Sequence, residues 1–143
     1  MGNEIKVGIV GGGFGGLYAA FYLKKYLSQR AKVTLFEKNN YFLYTPMLHE
    51  MATGTVNARH VVIPVRKVIS PRQFSIRCEE VKRVDLAKKV FETPSGPFPF
   101  DVLVLSPGSE SNFYSIPGLR ENCMTFWSSP RTKMVPTGFP SRP

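Results

Sequence analysis

The stretch Gly11-Gly12-Gly13-Phe14-Gly15-Gly16 limits the folds open to this chain more than any other feature. Gly11, Gly13 and Gly16 satisfy G-x-G-x-x-G directly after the apolar run 5–10 and at the start of a helical pattern. A glycine pattern alone is a weak signal. Here Glu37 closes a second apolar run 21 positions after Gly16. Strand, glycine turn, helix, strand and acidic residue thus follow with the spacing of a βαβ dinucleotide-binding unit. A turn serving only chain reversal would explain neither Glu37 nor the helix.

Each position has a separable reason. Gly11 can take backbone angles that a Cβ makes costly, which permits a tight turn out of the first strand. Gly13 lets the backbone approach a pyrophosphate, and Gly16 lets helix and strand pack closely. The helix expected over 14–27 aims its unpaired N–H groups and positive dipole end at the phosphates. Phe14, Leu17, Tyr18 and Phe21 fall at i, i+3, i+4 and i+7, so one face is expected to cover a sheet. Residues 32–36 read as the second strand, and Glu37 is expected to accept hydrogen bonds from both ribose hydroxyls and to repel a 2′-phosphate.

The remaining text fits one globular domain. With 43% hydrophobic residues and 13% aromatics, the 143-residue chain is not a disordered one. Helices are expected to begin near Pro46 and near Pro64. Residues 75–85 read as a strand, 89–92 as its hairpin partner and 94–97 as a turn. Residues 102–105, Val-Leu-Val-Leu, lack alternation and read as a buried central parallel strand. Beyond it an open sheet edge is expected, where a further strand would pair.

Two segments carry a resemblance. Residues 39–56 run Asn-Asn-Tyr-Phe-Leu-Tyr-Thr-Pro-Met-Leu-His-Glu-Met-Ala-Thr-Gly-Thr-Val, and 100–109 run Phe-Asp-Val-Leu-Val-Leu-Ser-Pro-Gly-Ser. With the glycine turn, this combination resembles the N-terminal flavin-binding part of type II NADH dehydrogenases. These single-subunit NADH:quinone oxidoreductases share the two-dinucleotide-domain plan of the pyridine-nucleotide disulfide oxidoreductase superfamily. The resemblance covers about residues 5 to 127. It implies an α/β fold: a Rossmann-type parallel sheet with flanking helices and a small antiparallel β-meander, forming an incomplete FAD/NAD(P)-binding domain. It also implies FAD as cofactor, NADH as its reductant and a membrane quinone as the acceptor.

The resemblance assigns residues as well. Gly11, Gly12, Gly13, Phe14, Gly15 and Gly16 match the pyrophosphate-binding turn, and Glu37 the ribose ligand with Lys38 its neighbour. Thr45 and Pro46 match the turn beside the isoalloxazine ring. Val81 matches the strand residue whose backbone meets the adenine, and Gly108 the glycine of an Ala-Thr-Gly turn near the flavin. This chain has Ser106 and Pro107 in place of that Ala and Thr, and proline removes a backbone donor. No catalytic residue is assigned.

Such relatives are about three times longer, at ~100–200 residues per domain. No second G-x-G-x-x-G occurs, so no NADH-binding domain is expected, nor the late segment that returns to the flavin, nor a C-terminal membrane anchor. Residues 1–129 are expected to form the FAD-binding domain fragment, and 130–143 an irregular, proline-rich basic tail, read as the frameshifted end of a truncation, with a functional basic tail as the rival reading. The function expected is therefore the FAD-binding portion of a flavin-dependent NADH:quinone oxidoreductase. A non-catalytic dinucleotide-binding fragment is one rival. A fragment of a sulfide:quinone oxidoreductase, for which Cys123 speaks, is another.

Charge and cysteines narrow the classes further. The net charge of +9 is spread over Lys24/Lys25, Arg66/Lys67, Lys82/Arg83, Lys88/Lys89 and the tail. No basic stripe with interleaved aromatics forms, which argues against nucleic acid and for a solvated surface with attraction to anionic lipid headgroups. The complete relative would sit on the cytoplasmic face, peripheral to the membrane, and a homo-oligomer is left open. Cys78 and Cys123 stand far apart and positions 38–60 hold none, against the paired-cysteine disulfide reductases of the superfamily. Both thiols are expected to be packed in a strand or loop. His49 and His60 have no ligand cluster around them, so no metal site is expected.

Overall fold

The computed structural model describes residues 4–69 and 74–123. Its centre is a parallel four-stranded sheet. The strands β1 (Ile5–Val10), β2 (Ala31–Phe36), β5 (Ser75–Arg77) and β9 (Val102–Leu105) lie in the order β5-β2-β1-β9. β1 and β2 pair over six residues, from Ile5 opposite Ala31 to Val10 opposite Phe36. Their near-continuous apolar sequence follows from burial on both faces.

One face is covered by α1 (Phe14–Leu27), which buries Gly16, Leu17 and Ala20. Leu17 and Ala20 join Val7, Ile9, Val33, Leu35 and Phe42 in the larger core. Tyr18 does not join it. Tyr18, Tyr22 and Tyr26 form a stacked ladder on the solvent side of α1, with ring centroids 6.4 and 6.1 Å apart. The expected i+4 position lies at the flank of the apolar stripe, where a phenol can stay wet. Phe14, Tyr18, Tyr22, Phe42 and Val68 line an apolar groove of about 500 Å³ along this flank.

The other face is covered by an antiparallel meander of β6 (Arg83–Asp85), β7 (Val90–Thr93) and β8 (Gly96–Pro99). Its core is aromatic: the Phe36 ring meets Phe91 edge-on at 4.7 Å and Phe98 at 4.9 Å, and Phe91 stacks on Phe100. A Cβ on Gly8 would come within 2.6 Å of the Phe91 ring, so glycine in β1 is what lets the meander close down.

Between β2 and β5 lies a smaller unit. β3 (Tyr41–Leu43) pairs antiparallel with β4 (Val62–Pro64). The loop between them holds a 3-10 turn (Thr45–Met47), α2 (Leu48–Thr53) and α3 (Ala58–Val61). α4 (Val65–Val68) follows Pro64. The helix expected near Pro46 is thus a 3-10 turn leading into α2. A last short helix, α5, spans Leu119–Asn122.

Three expectations need correction. The strand expected over 75–85 is two strands in different sheets, β5 and β6. Glu79 marks the corner between them, 3.7 Å from Arg77. The Thr93 hydroxyl does most to hold the Glu79 carboxyl below the usual carboxylate range; burial opposes this, while Ser95 and Arg77 add to it. Residues 102–105 form β9 as expected, but at the sheet edge and not in its centre. Among the described residues only β1 flanks β9, and Val102 and Leu105 are exposed. Finally, both cysteines are exposed. Residues 130–143 lie outside the described residues.

Candidate functional site

Four strands, β1, β2, β5 and β9, end together at the glycine turn. The Gly11 amide donates to the Phe36 carbonyl (2.8 Å), the Ser106 amide to Val10 (2.8 Å) and the Glu37 amide to Arg77 (3.0 Å). Ligands of open α/β sheets bind outside such carboxyl ends. Gly11 has φ +100°, and a Cβ there would fall on the Ser106 carbonyl oxygen. A Cβ on Gly16 would fall on the Gly11 carbonyl oxygen. These two glycines are forced by backbone against backbone.

Gly13 differs. It is the N-cap of α1, no side chain caps the first turn, and nothing lies within 4 Å of where its Cβ would be. First-turn N–H groups of a helix have no partner within it. The turn thus offers open space in front of amides and a positive dipole end, which suits a pyrophosphate. Gly15 is exposed, and a Cβ there would meet the Ser106 hydroxyl at 2.6 Å. Phe14 serves packing: its ring lies edge-on to Phe42 (4.9 Å) and Tyr44 (5.4 Å).

Glu37 closes the opposite side. Its Oε2 accepts from the Gly12 amide at 2.6 Å, and its Oε1 accepts from the Asn39 amide (2.9 Å) and the Asn39 Nδ2 (3.0 Å). A Cβ on Gly12 would stand 2.8 Å from both Cβ and Cγ of Glu37, so this glycine makes room for the carboxylate. Burial raises the pKa of the Tyr41 phenol, and the Glu37 charge adds to it.

The other assigned residues fall around this centre. Lys38 is exposed. Thr45 and Pro46 begin the 3-10 turn, next to Tyr44 and so near the start of α1. Gly108 has φ +82° with open space at its Cβ position, two residues beyond Ser106. Val81 is not in a strand. It lies between β5 and β6, half-buried against the Phe36–Phe91–Phe100 cluster. Sequence reasoning passed over Asn39. The only signal for it was an asparagine two places past the acidic residue, a type prone to local hydrogen bonding.

Among the described residues no group of three or more His, Cys, Asp and Glu is placed to hold a metal ion. No described helix is long and apolar enough to cross a membrane.

Residues 5–133 match the family described as pyridine nucleotide-disulphide oxidoreductase. The chain is 36% identical over 117 residues to the type II NADH:quinone oxidoreductase of Staphylococcus saprophyticus, covering 81% of this chain and 29% of that protein. It is 34% identical over 118 residues to the enzyme of the same name from Staphylococcus aureus, covering 82% and 29%. The chain therefore spans about three tenths of the length of these curated relatives. The sulfide:quinone oxidoreductase of Aquifex aeolicus superposes with a TM-score of 0.79 at 26% identity, over 91% of this chain and 31% of that one. NDH2 from Plasmodium falciparum gives 0.68 at 23% identity, over 83% and 25%, a likeness of fold.

Proposed function

This chain belongs to the pyridine nucleotide-disulphide oxidoreductase family, and on that premise we propose that it forms the FAD-binding portion of a flavin-dependent NADH:quinone oxidoreductase. The observation that carries the reading is the glycine turn with its open Gly13 flank, set between the uncapped start of α1 and the Glu37 carboxylate. The residues fit the group. The amides at Gly13 and the first turn of α1 would face the pyrophosphate, with Gly12 bound to Glu37, and Glu37 would face the adenosine ribose. Val81 would lie by the adenine, with Thr45, Pro46 and Gly108 toward the flavin ring.

Bound FAD supplies a two-electron acceptor for hydride from NADH and a donor to quinone. The work of these residues is to bind and orient it. Neutral amides and a helix dipole offset the pyrophosphate charge with few mobile cations, and the buried sheet beneath keeps the turn rigid. NADH and quinone are proposed for the whole protein, as are a peripheral position on the cytoplasmic membrane face and any self-association. We assign residues 1–129 to the FAD-binding unit and 130–143 to a separate tail.

The test is the visible absorption spectrum of the purified chain, followed by FAD titration. A bound flavin spectrum is expected, and Glu37→Ala should weaken binding by about tenfold, as for a lost charge-assisted hydrogen bond. Unchanged affinity in that variant would overturn the ribose assignment. NADH-driven quinone reduction by this chain alone would overturn the view that it is only the binding portion. The Aquifex likeness keeps one second reading: sulfide-dependent quinone reduction that disappears in Cys123→Ala would favour it.

A further inference from the structure

We propose that Asn39 is a positioning residue that holds the Glu37 carboxylate against the glycine turn, in the orientation from which it would read the ribose. The inference rests on the dinucleotide reading above. The Glu37 main chain is fixed, because its amide donates to Arg77 at the end of β5. Its side chain alone keeps rotational freedom, and three donors remove it. Gly12 N binds Oε2, while Asn39 binds Oε1 twice, through its amide N–H and its Nδ2.

The two oxygens are thereby given different tasks. A carboxylate has about four acceptor positions. With two taken on Oε1 by Asn39 and one on Oε2 by Gly12, the free capacity lies on Oε2, beside the turn, and serves one ribose hydroxyl and not the two expected from the sequence. Without the Asn39 amide group the carboxylate could rotate away from Gly12, and a ligand would then have to order it on binding. Asn39 is half-buried and lies outside the glycine motif, so its contribution runs through Glu37.

A double-mutant cycle on the full chain tests this. Asn39→Ala should weaken FAD binding by about fivefold, the loss of one hydrogen bond to a charged group, yet change affinity less than about twofold in a Glu37→Ala background. An equal loss in both backgrounds would overturn the proposal, as would no loss in the native background. A cofactor-free arm reads the Gly12 amide by hydrogen exchange. Asn39→Ala should speed exchange at Gly12 by about fivefold while Val7 and Ile9 stay protected, which also reports that the variant is folded. Unchanged Gly12 exchange would overturn the proposal even if the chain binds no FAD, the outcome that would sink the dinucleotide reading instead. A variant that loses protection at Val7 and Ile9 would make Asn39 a structural residue, and that too overturns the proposal.

Discussion

β1 and β9 lie side by side in the same parallel sheet, and their surroundings could hardly differ more. β1 has a strand on each flank, α1 on one face and the aromatic meander on the other, so Val7 and Ile9 are fully buried. Among the described residues β9 has β1 on one flank only. It is tied at its start by the Asp101 amide to the Lys6 carbonyl (2.8 Å) and the Lys6 amide to Asp101 Oδ2 (2.7 Å), and at its end by Ser106 to Val10. The same apolar residue types serve both strands. What separates them is neighbours: β1 receives α1 and β2 from residues 11–36, close in the chain, and β9 and the meander from farther along, whereas one flank of β9 has no partner among the described residues. An apolar run therefore specifies a strand without specifying its burial.

Substitutions should divide along that line. The largest effect is expected at Gly16, where valine would drive a Cβ into the Gly11 carbonyl at the close of β1. Loss of cooperative unfolding in a thermal melt is the expected outcome, and a folded variant would mean the turn can open. Next comes Phe91→Ala, which removes the ring lying over Gly8 of β1. It should cost about 3–5 kcal/mol by urea denaturation. The smallest effect belongs to β9: Leu105→Lys should change stability by less than about 0.5 kcal/mol. It should also lower aggregation measured by light scattering, because charge protects an open edge. A loss comparable to that of Phe91→Ala would erase the contrast between the strands.

The same contrast governs how much could be read from sequence. The β1–α1–β2 unit was legible because glycine spacing, helical period and acidic residue are all local, and local geometry constrains them. The break at 78–82 was not, because β5 and β6 are both strand-like text and only tertiary pairing assigns them to different sheets. Tyr18 misled because period reports which residues share a side of a helix, not how far cover extends around it. At the site, Gly11, Gly16 and Glu37 were predictable by type and spacing. Asn39 was not, since its two hydrogen bonds depend on where the chain turns after β2. The reason for Gly12, room for Glu37 above it, needs both strands in place.

The bond from Gly12 to Glu37 also acts as a proofreading device for strand pairing. Side chains alternate along a strand, so a slip of one residue between β1 and β2 turns each side chain of the slipped strand to the opposite face. The Glu37 carboxylate would then leave the Gly12 amide, and Phe36 would leave the meander. Only the pairing of Val10 with Phe36 brings the carboxylate to the glycine that has room for it. The candidate site is thus assembled by the same one-residue decision that completes the core, and a misregistered chain would have neither.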